Sequence, residues 1–203
     1  MKTRTKVGLA VFTGIALAGV LGLISTLRHG FSARDQPTAI EAFVARRLRH
    51  LAVPRSARAM QNPVPLTEEV LAGARAHFAD HCALCHGNDG IGQTKIGQNL
   101  YPKAPDMGSS ETQSLSDGEL FYVIKQGIRL TGMPAWGEDT PEDDEESWQL
   151  VHFIRHLPDI TPEEIAEMED LNPKSRWEFE QEEEIRRFLA GEEIPSEPPK
   201  QHH

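Results

Sequence analysis

Cysteine is scarce in this chain of 203 residues, which contains only Cys82 and Cys85. A framework of several disulfides is therefore excluded. Patterns typical of β-strands are almost absent, which argues against a sheet-based fold. The composition also excludes a collagen-like or low-complexity chain, and the length allows one compact domain with additional segments.

Acidic residues are scarce at the amino end, and basic residues are scarce towards the carboxyl end. Residues 1–60 contain ten lysines and arginines against two acidic residues, whereas residues 137–203 contain six against twenty-one. The acidic part is unsuited to a nucleic-acid surface, so we expect no nucleic-acid partner.

The first 28 residues are typical of a transmembrane anchor. Lys2, Arg4 and Lys6 precede an uncharged stretch from Val7 to Leu27, which as a helix would cross the roughly 30 Å hydrocarbon layer. The alternative is a cleaved signal peptide, since Ala16-Leu17-Ala18 resembles a cleavage site. We expect a retained, single-pass anchor in the inner membrane with its amino end in the cytoplasm and the rest on the periplasmic side.

Residues 29–64 are expected to form a basic amphipathic stem and a linker. Apolar residues recur at helical spacing before Pro54, and Arg46, Arg47 and Arg49 are predicted on or near the solvated side. A solvated spacer and a contact with anionic head groups or an acidic partner both remain open. Residues 62–65, Asn-Pro-Val-Pro, read as the linker.

An attachment pattern for covalent haem follows the helix predicted over residues 67–78. Cys82 and Cys85 are three positions apart, and His86 follows at once. The two sulfurs would bond to the porphyrin, and the histidine would reach the iron from one face. The competing interpretations are a zinc site, which lacks a second cysteine pair, a thioredoxin-like redox pair, which needs a sheet, and an ordinary disulfide.

Met133 is the candidate for the opposite face of the iron. It stands in Gly132-Met133-Pro134, after a helix that Ser116 and Glu119 are predicted to cap. A thioether ligand favours ferrous iron and raises the reduction potential. Met107 is the near rival, and we interpret it as a wall residue.

These two motifs together resemble those of class I c-type cytochromes, close to monohaem electron carriers and to cytochrome subunits of respiratory oxidases. The resemblance covers roughly residues 65–160 and implies an all-α fold, with helices around one covalent haem c. It implies that a proline carbonyl accepts the ring N–H of His86, with Pro105 the first candidate and Pro102 the second. It further implies a closing helix over residues 146–157 that packs on the opening helix, with Phe78 and Trp148 as core residues.

Trp136, which follows the methionine, is expected to cover the haem or to bond a propionate. Packing alone is the other interpretation, because aromatic residues usually serve the core.

Residues 161–203 are expected to form an acidic helical extension that ends in a disordered tail. Thr161, Pro162 and Glu164 are typical of a helix start, a second helix is predicted over residues 178–189, and three prolines follow. The acidic charge could be a solvated surface, a docking arm for a basic redox partner, or a segment that folds back onto the stem.

The sequence thus predicts four parts: an anchor (1–28), a stem and linker (29–64), a cytochrome c domain (65–160) and an extension (161–203). We expect a membrane-anchored carrier of single electrons between respiratory redox partners and not an enzyme. The alternatives are an electron-transfer subunit of a larger membrane dehydrogenase or oxidase, and a haem enzyme or gas sensor with an open iron site.

Overall fold

The computed structural model describes residues 2–30, 32–174 and 176–191, and this part of the chain is helical without any strand. The predicted all-α fold is therefore confirmed. The α-helices are α1 (Lys2–His29), α2 (Ala39–Ala52), α3 (Arg55–Arg58), α4 (Glu68–His77), α5 (Ala83–His86), α6 (Ser110–Gln113), α7 (Asp117–Gln126), α8 (Pro141–His156), α9 (Pro162–Glu169) and α10 (Arg176–Leu189). A π-helical turn spans Phe78–Cys82, and 3-10 turns span Gly97–Asn99 and Leu157–Asp159.

Helix α1 contains a segment, Lys6–Arg28, that is long and apolar enough to cross a membrane. None of its most apolar stretch is buried against the rest of the chain. A signal sequence near an amino end has the same properties.

The core lies where α4, α7 and α8 meet. Phe78 and Phe153 are buried with ring centres 4.9 Å apart, and Phe121 stacks on Trp148 at 4.1 Å. Phe78 and Trp148 are thus core residues, as expected. The opening and closing helices pack on each other because both present an apolar stripe to the same interior.

The closing helix begins earlier than the sequence analysis predicted. It starts at Pro141 and not near residue 146, because the Thr140 hydroxyl accepts a hydrogen bond from the Asp143 N–H and proline occupies the first helical position. The same cap was recognised at Thr161 and overlooked here. Acidic residues in the first turn add a favourable interaction with the helix dipole.

Helix α7 begins and ends as the sequence predicts. The Ser116 hydroxyl accepts from the Glu119 N–H, and the Glu119 carboxylate accepts from the Ser116 N–H. The helix ends at Gly127, whose φ is 65°. The reciprocal cap fixes where α7 starts and hence where its apolar residues fall on the core.

Helix α2 turns its polar side towards the domain. Arg46 and Arg49 each lie 3.7 Å from Glu111, and His50 Nδ1 lies 3.0 Å from Glu119. Arg46 remains half-exposed in this contact and Arg49 about a third exposed, so both lie on or near the solvated side as predicted, although that side also meets the domain. The apolar residues of α2 are exposed as well.

The residues predicted as a linker are bound along α8. The Asn62 side chain donates to the Trp148 carbonyl at 2.8 Å, and His152 Nε2 donates to the Val64 carbonyl at 2.8 Å. Val53 and Ala57, just before this segment, are buried. The carboxyl-terminal half of the stem therefore contacts the domain closely.

Helix α9 is packed into the domain and buries Met168 completely. Arg75 of α4 and His156 of α8 both contact Glu164, at 3.0 and 2.9 Å. Burial raises the pKa of Glu164, but hydrogen bonds from Thr161 and the His156 ring lower it more, to about 2. The carboxylate therefore ties α9 to two core helices.

Helix α10 begins two residues before its predicted start and carries exposed apolar side chains, among them Trp177 and Phe188. Arg187 pairs with Glu183 one turn before it. The expected disordered tail covers residues 191–203, of which 192–203 lie outside the described residues. The four-part division of the chain stays a prediction.

We predict that Gly118→Ala destabilises the domain. A Cβ at this position would lie 1.9 Å from the Ala57 carbonyl oxygen, so α3 or α7 has to move. A loss of about 1–3 kcal/mol is expected from such overpacking, measured by thermal or denaturant unfolding. The matched control is Gly73→Ala in α4, where the nearest atom is 3.9 Å away and the greater helix propensity of alanine is expected to stabilise. Equal effects of the two substitutions would contradict the packing of α3 on α7.

Candidate functional site

The two cysteines and the histidine lie where the opening helix changes its winding. Helix α4 continues into the π-helical turn Phe78–Cys82 and then into the short α5, which holds Cys85 and His86. Positions three and four residues apart share one side of a helix. Cys82, Cys85 and His86 are therefore placed on one side of the same helical segment.

His86 is buried, with 8% of its surface exposed, and its Nδ1 atom has no hydrogen-bond partner at normal distance. The Pro105 carbonyl lies close enough to raise the pKa of the ring, but burial lowers the pKa more, to about 4. The imidazole is therefore neutral at physiological pH, which is the form that binds a metal. Of the two candidate prolines, Pro105 is the one whose carbonyl acts on His86.

The loop after the motif wraps around it and positions Pro105. The Gly92 N–H donates to the His86 carbonyl at 2.6 Å, and the Thr94 hydroxyl donates to the Cys85 carbonyl at 3.0 Å. Further along, the Met107 N–H donates to the Gly90 carbonyl at 2.9 Å. These bonds bring the chain back past His86, so Pro105, two residues before Met107, lies beside the imidazole ring.

The two thiols are unpaired and protonated. Burial, and then the neighbouring Cys85, raises the pKa of Cys82 to about 12, and burial also raises the pKa of Cys85. Zinc binds thiolates and needs about four ligands. Within the described residues no group of three or more histidine, cysteine or acidic side chains is arranged to hold a metal, so the zinc interpretation lacks a ligand set.

The methionine loop is folded back against the end of α7. The Ile128 N–H donates to the Met133 carbonyl at 3.1 Å, and the Met133 N–H donates to the Thr131 hydroxyl at 3.1 Å. The Trp136 N–H donates to the Ile124 carbonyl at 3.2 Å. Met133 is half-buried in this loop.

A ring contact joins the methionine loop to the attachment segment. The Trp136 indole meets the His81 ring edge-on, with centres 5.5 Å apart, and His81 immediately precedes Cys82. The contact of His81 with Trp136 was not predicted from the sequence. No sequence signal pairs them, because the contact depends on how the loop returns from α7.

Met107, the rival methionine, is buried in the core cluster with the aromatic residues. It is held in the loop through the Gly90 carbonyl and packs as a wall residue. This placement agrees with its interpretation as packing, since methionine commonly fills irregular gaps in a core.

The site fits a haem in three respects. A neutral buried histidine lies beside the Pro105 carbonyl, two unpaired thiols precede it in the chain, and a thioether lies in a loop that contacts the same segment. Large apolar side chains are also exposed in these segments, as an apolar porphyrin would require. They are Leu84, Ile91, Ile96, Tyr101, Leu130 and Trp136.

The fold and the motifs together define a class I c-type cytochrome domain. Residues 69–154 match the family described as cytochrome C oxidase, cbb3-type, subunit III. The match covers less than half of the chain and includes almost all of α4–α8. A comparison with curated proteins gave no match.

We predict that Gly92→Ala disturbs the haem site while the fold is retained. Gly92 has a φ of 76°, and a Cβ there would lie 2.5 Å from the Ala104 carbonyl oxygen and 3.1 Å from that of Pro105. The substitution would push the Pro105 carbonyl away from His86. We expect less protein with attached haem, or a shifted reduction potential, read from absorbance against intact mass and by redox titration.

The control for this prediction is Gly108→Ala in the same loop, where the nearest atom is 3.4 Å away and no positive φ is required. This variant is expected to behave as wild type. If Gly92→Ala matches it in haem content and potential, the loop does not position Pro105 for the histidine.

Proposed function

We propose that the chain is a membrane-anchored monohaem cytochrome c that carries single electrons between respiratory redox partners. Cys82 and Cys85 would attach one haem c, and His86 and Met133 would bind its iron. The observation that carries this proposal is the neutral, buried His86, which the wrapped loop turns towards Pro105. With two protein ligands the iron would have no open coordination position for a substrate. The proposed role is therefore that of an electron carrier and not of a catalyst.

The bound haem would supply the one-electron chemistry, and the side chains would tune and protect it. The Pro105 carbonyl would accept the Nδ1–H of His86, which fixes the tautomer and the ring orientation. The Met133 thioether would favour the reduced iron. Trp136 would cover the site beside His81, which excludes water and keeps reorganisation small.

Membrane anchoring by α1 is part of the proposal. The Lys6–Arg28 segment has the length and composition of a transmembrane helix. Lys2, Arg4 and Lys6 lie at or before its start, which favours an amino end in the cytoplasm and a haem domain on the periplasmic side. Covalent haem attachment, linked to export in bacteria, agrees with that side.

The acidic carboxyl-terminal third supports a basic-surfaced redox partner. The first turn of α8 carries Glu142, Asp143 and Asp144, and α9 and α10 add further carboxylates. Such a field steers oppositely charged proteins and quickens their encounter.

We predict that Met133→Leu removes the sixth ligand and that Met107→Leu does not. Leucine retains volume and apolar character but lacks the sulfur. In a host competent for haem attachment, the wild type should gain the mass of one haem and show a low-spin spectrum with the weak absorption near the red end. Met133→Leu should lose that absorption and lower the reduction potential.

Met107→Leu is the matched control and should keep the spectrum of the wild type. Loss of the red-end absorption in Met107→Leu alone would assign the ligand to Met107. A wild-type protein without haem mass would refute the proposed function as a whole.

An electron-transfer subunit of a larger membrane complex is the second candidate. It is favoured by the family of residues 69–154, whose description is that of an oxidase subunit. We predict that a tagged full-length chain, solubilised mildly from its native membrane, purifies without stoichiometric partners if it is a carrier. Recovery of a stable complex with other membrane proteins would favour the subunit, and an untagged membrane extract is the control.

A further inference from the structure

Helix α2 presents an apolar face that nothing in the described residues covers. Its five large apolar side chains are between 45% and 77% exposed, and the helix has no buried residue. They recur at helical spacing and so share one side of α2. These residues, Ile40, Phe43, Val44, Leu48 and Leu51, are called the α2 face below.

The rotation that exposes the α2 face is fixed by polar contacts on the other side. Arg46 and Arg49 face Glu111, and the Tyr101 hydroxyl donates to Glu41 at 3.2 Å. A further pair of contacts runs inward: His50 Nδ1 lies 3.0 Å from the buried Glu119 carboxylate, and Arg58 lies 3.0 Å from His50 Nε2. Because Glu119 also caps α7, the α2 face is held outward from the cytochrome domain.

The position of α2 in the chain, shortly after α1, indicates what covers this face. Only residues 30–38 separate the end of α1 at His29 from the start of α2 at Ala39. Nine residues span at most about 30 Å when fully extended. If α1 crosses a membrane, α2 therefore lies close to the surface at which α1 emerges.

The charge around α2 favours a lipid surface that contains anionic head groups. Residues 28–58 include seven arginines and only two acidic residues. Arg47 lies on the same side of the helix as Ile40, with its guanidinium 5.4 Å from the centre of the Phe43 ring. A long arginine side chain on an apolar face can keep its charge at the phosphates while its stem stays among apolar groups.

We infer that α2 is an interfacial helix that lays its apolar face into the membrane surface, while its polar side holds the cytochrome domain. This inference rests on the membrane anchoring proposed above. Amphipathic helices of this kind bury their apolar side about 5–10 Å into the boundary between head groups and acyl chains. The domain is thereby oriented on the membrane and does not swing freely at the end of a tether.

The test uses the full-length holoprotein in nanodiscs made of phosphatidylcholine and phosphatidylglycerol, with one chain per disc. A photoreactive phosphatidylglycerol should crosslink to the peptide 39–52 as well as to α1, and the amides of α2 should be protected from hydrogen exchange. In the double variant Phe43→Glu and Leu48→Glu, the crosslink should be lost and α2 should exchange at least about tenfold faster. Glutamate is a better helix former than phenylalanine and about as good as leucine, so the change would not reflect lost helix propensity.

Leu66→Glu is the matched control, because Leu66 is 63% exposed and lies outside α2. It should leave the crosslinks, the exchange and the haem spectrum unchanged. Crosslinks confined to α1, or identical α2 exchange in the wild type and the double variant, would overturn the inference.

Two further outcomes would assign the α2 face to another occupant and so also overturn the inference. If Phe188→Glu in α10 exposes the α2 amides, α10 of this chain covers the face. If protection requires two chains per disc, a second copy does. Failure of the proposed function is seen separately, either as missing haem mass or as an intact mass that lacks α1. If α1 has been removed, flotation of the remaining chain with vesicles of the same lipids tests membrane binding by α2 alone.

Discussion

The orientation of one imidazole is the constraint on which the site depends. His86 is buried and neutral, and its ring lies beside the Pro105 carbonyl; in the proposed site this carbonyl would hold one ring nitrogen and leave the other for the iron. The loop from Gly90 to Met107 exists in this form because it bonds back to His86 and to Gly90 itself. The methionine loop closes from the other direction through Trp136 and His81. Both loops therefore depend on the position of the attachment motif that ends at His86.

The sequence carried enough local information to predict the longer helices, although not the four-residue helices α3 and α6. Capping residues at Thr67, Ser116 and Thr161 each accept the hydrogen bond expected of them. The spacing of the cysteines and His86 is a chemical requirement and can be read without a structure. The late prediction of the start of α8 shows the same rule applied too narrowly, since Thr140 is followed by proline and acidic residues.

Long-range contacts were beyond what local patterns could indicate. The outward rotation of α2 depends on Glu111 and Glu119, which lie sixty or more residues away along the chain. An amphipathic pattern predicts an apolar side and a polar side, but it does not say which of them meets the domain. The burial of Met168 likewise depends on Glu164 meeting Arg75 and His156, so a segment that resembles a loose acidic extension is part of the packed body.

The π-helical turn at Phe78–Cys82 changes the direction in which side chains point between two parts of one continuous helix. Here the Ala83 N–H bonds to the Phe78 carbonyl, five residues back and not four. One additional residue in a turn changes the direction of everything that follows by about 100° around the helix axis. Phe78 can therefore point into the hydrophobic core of the domain, while His86 in the same helical segment points towards Pro105. The backbone winding of this short stretch, more than the identity of its side chains, sets the direction of His86.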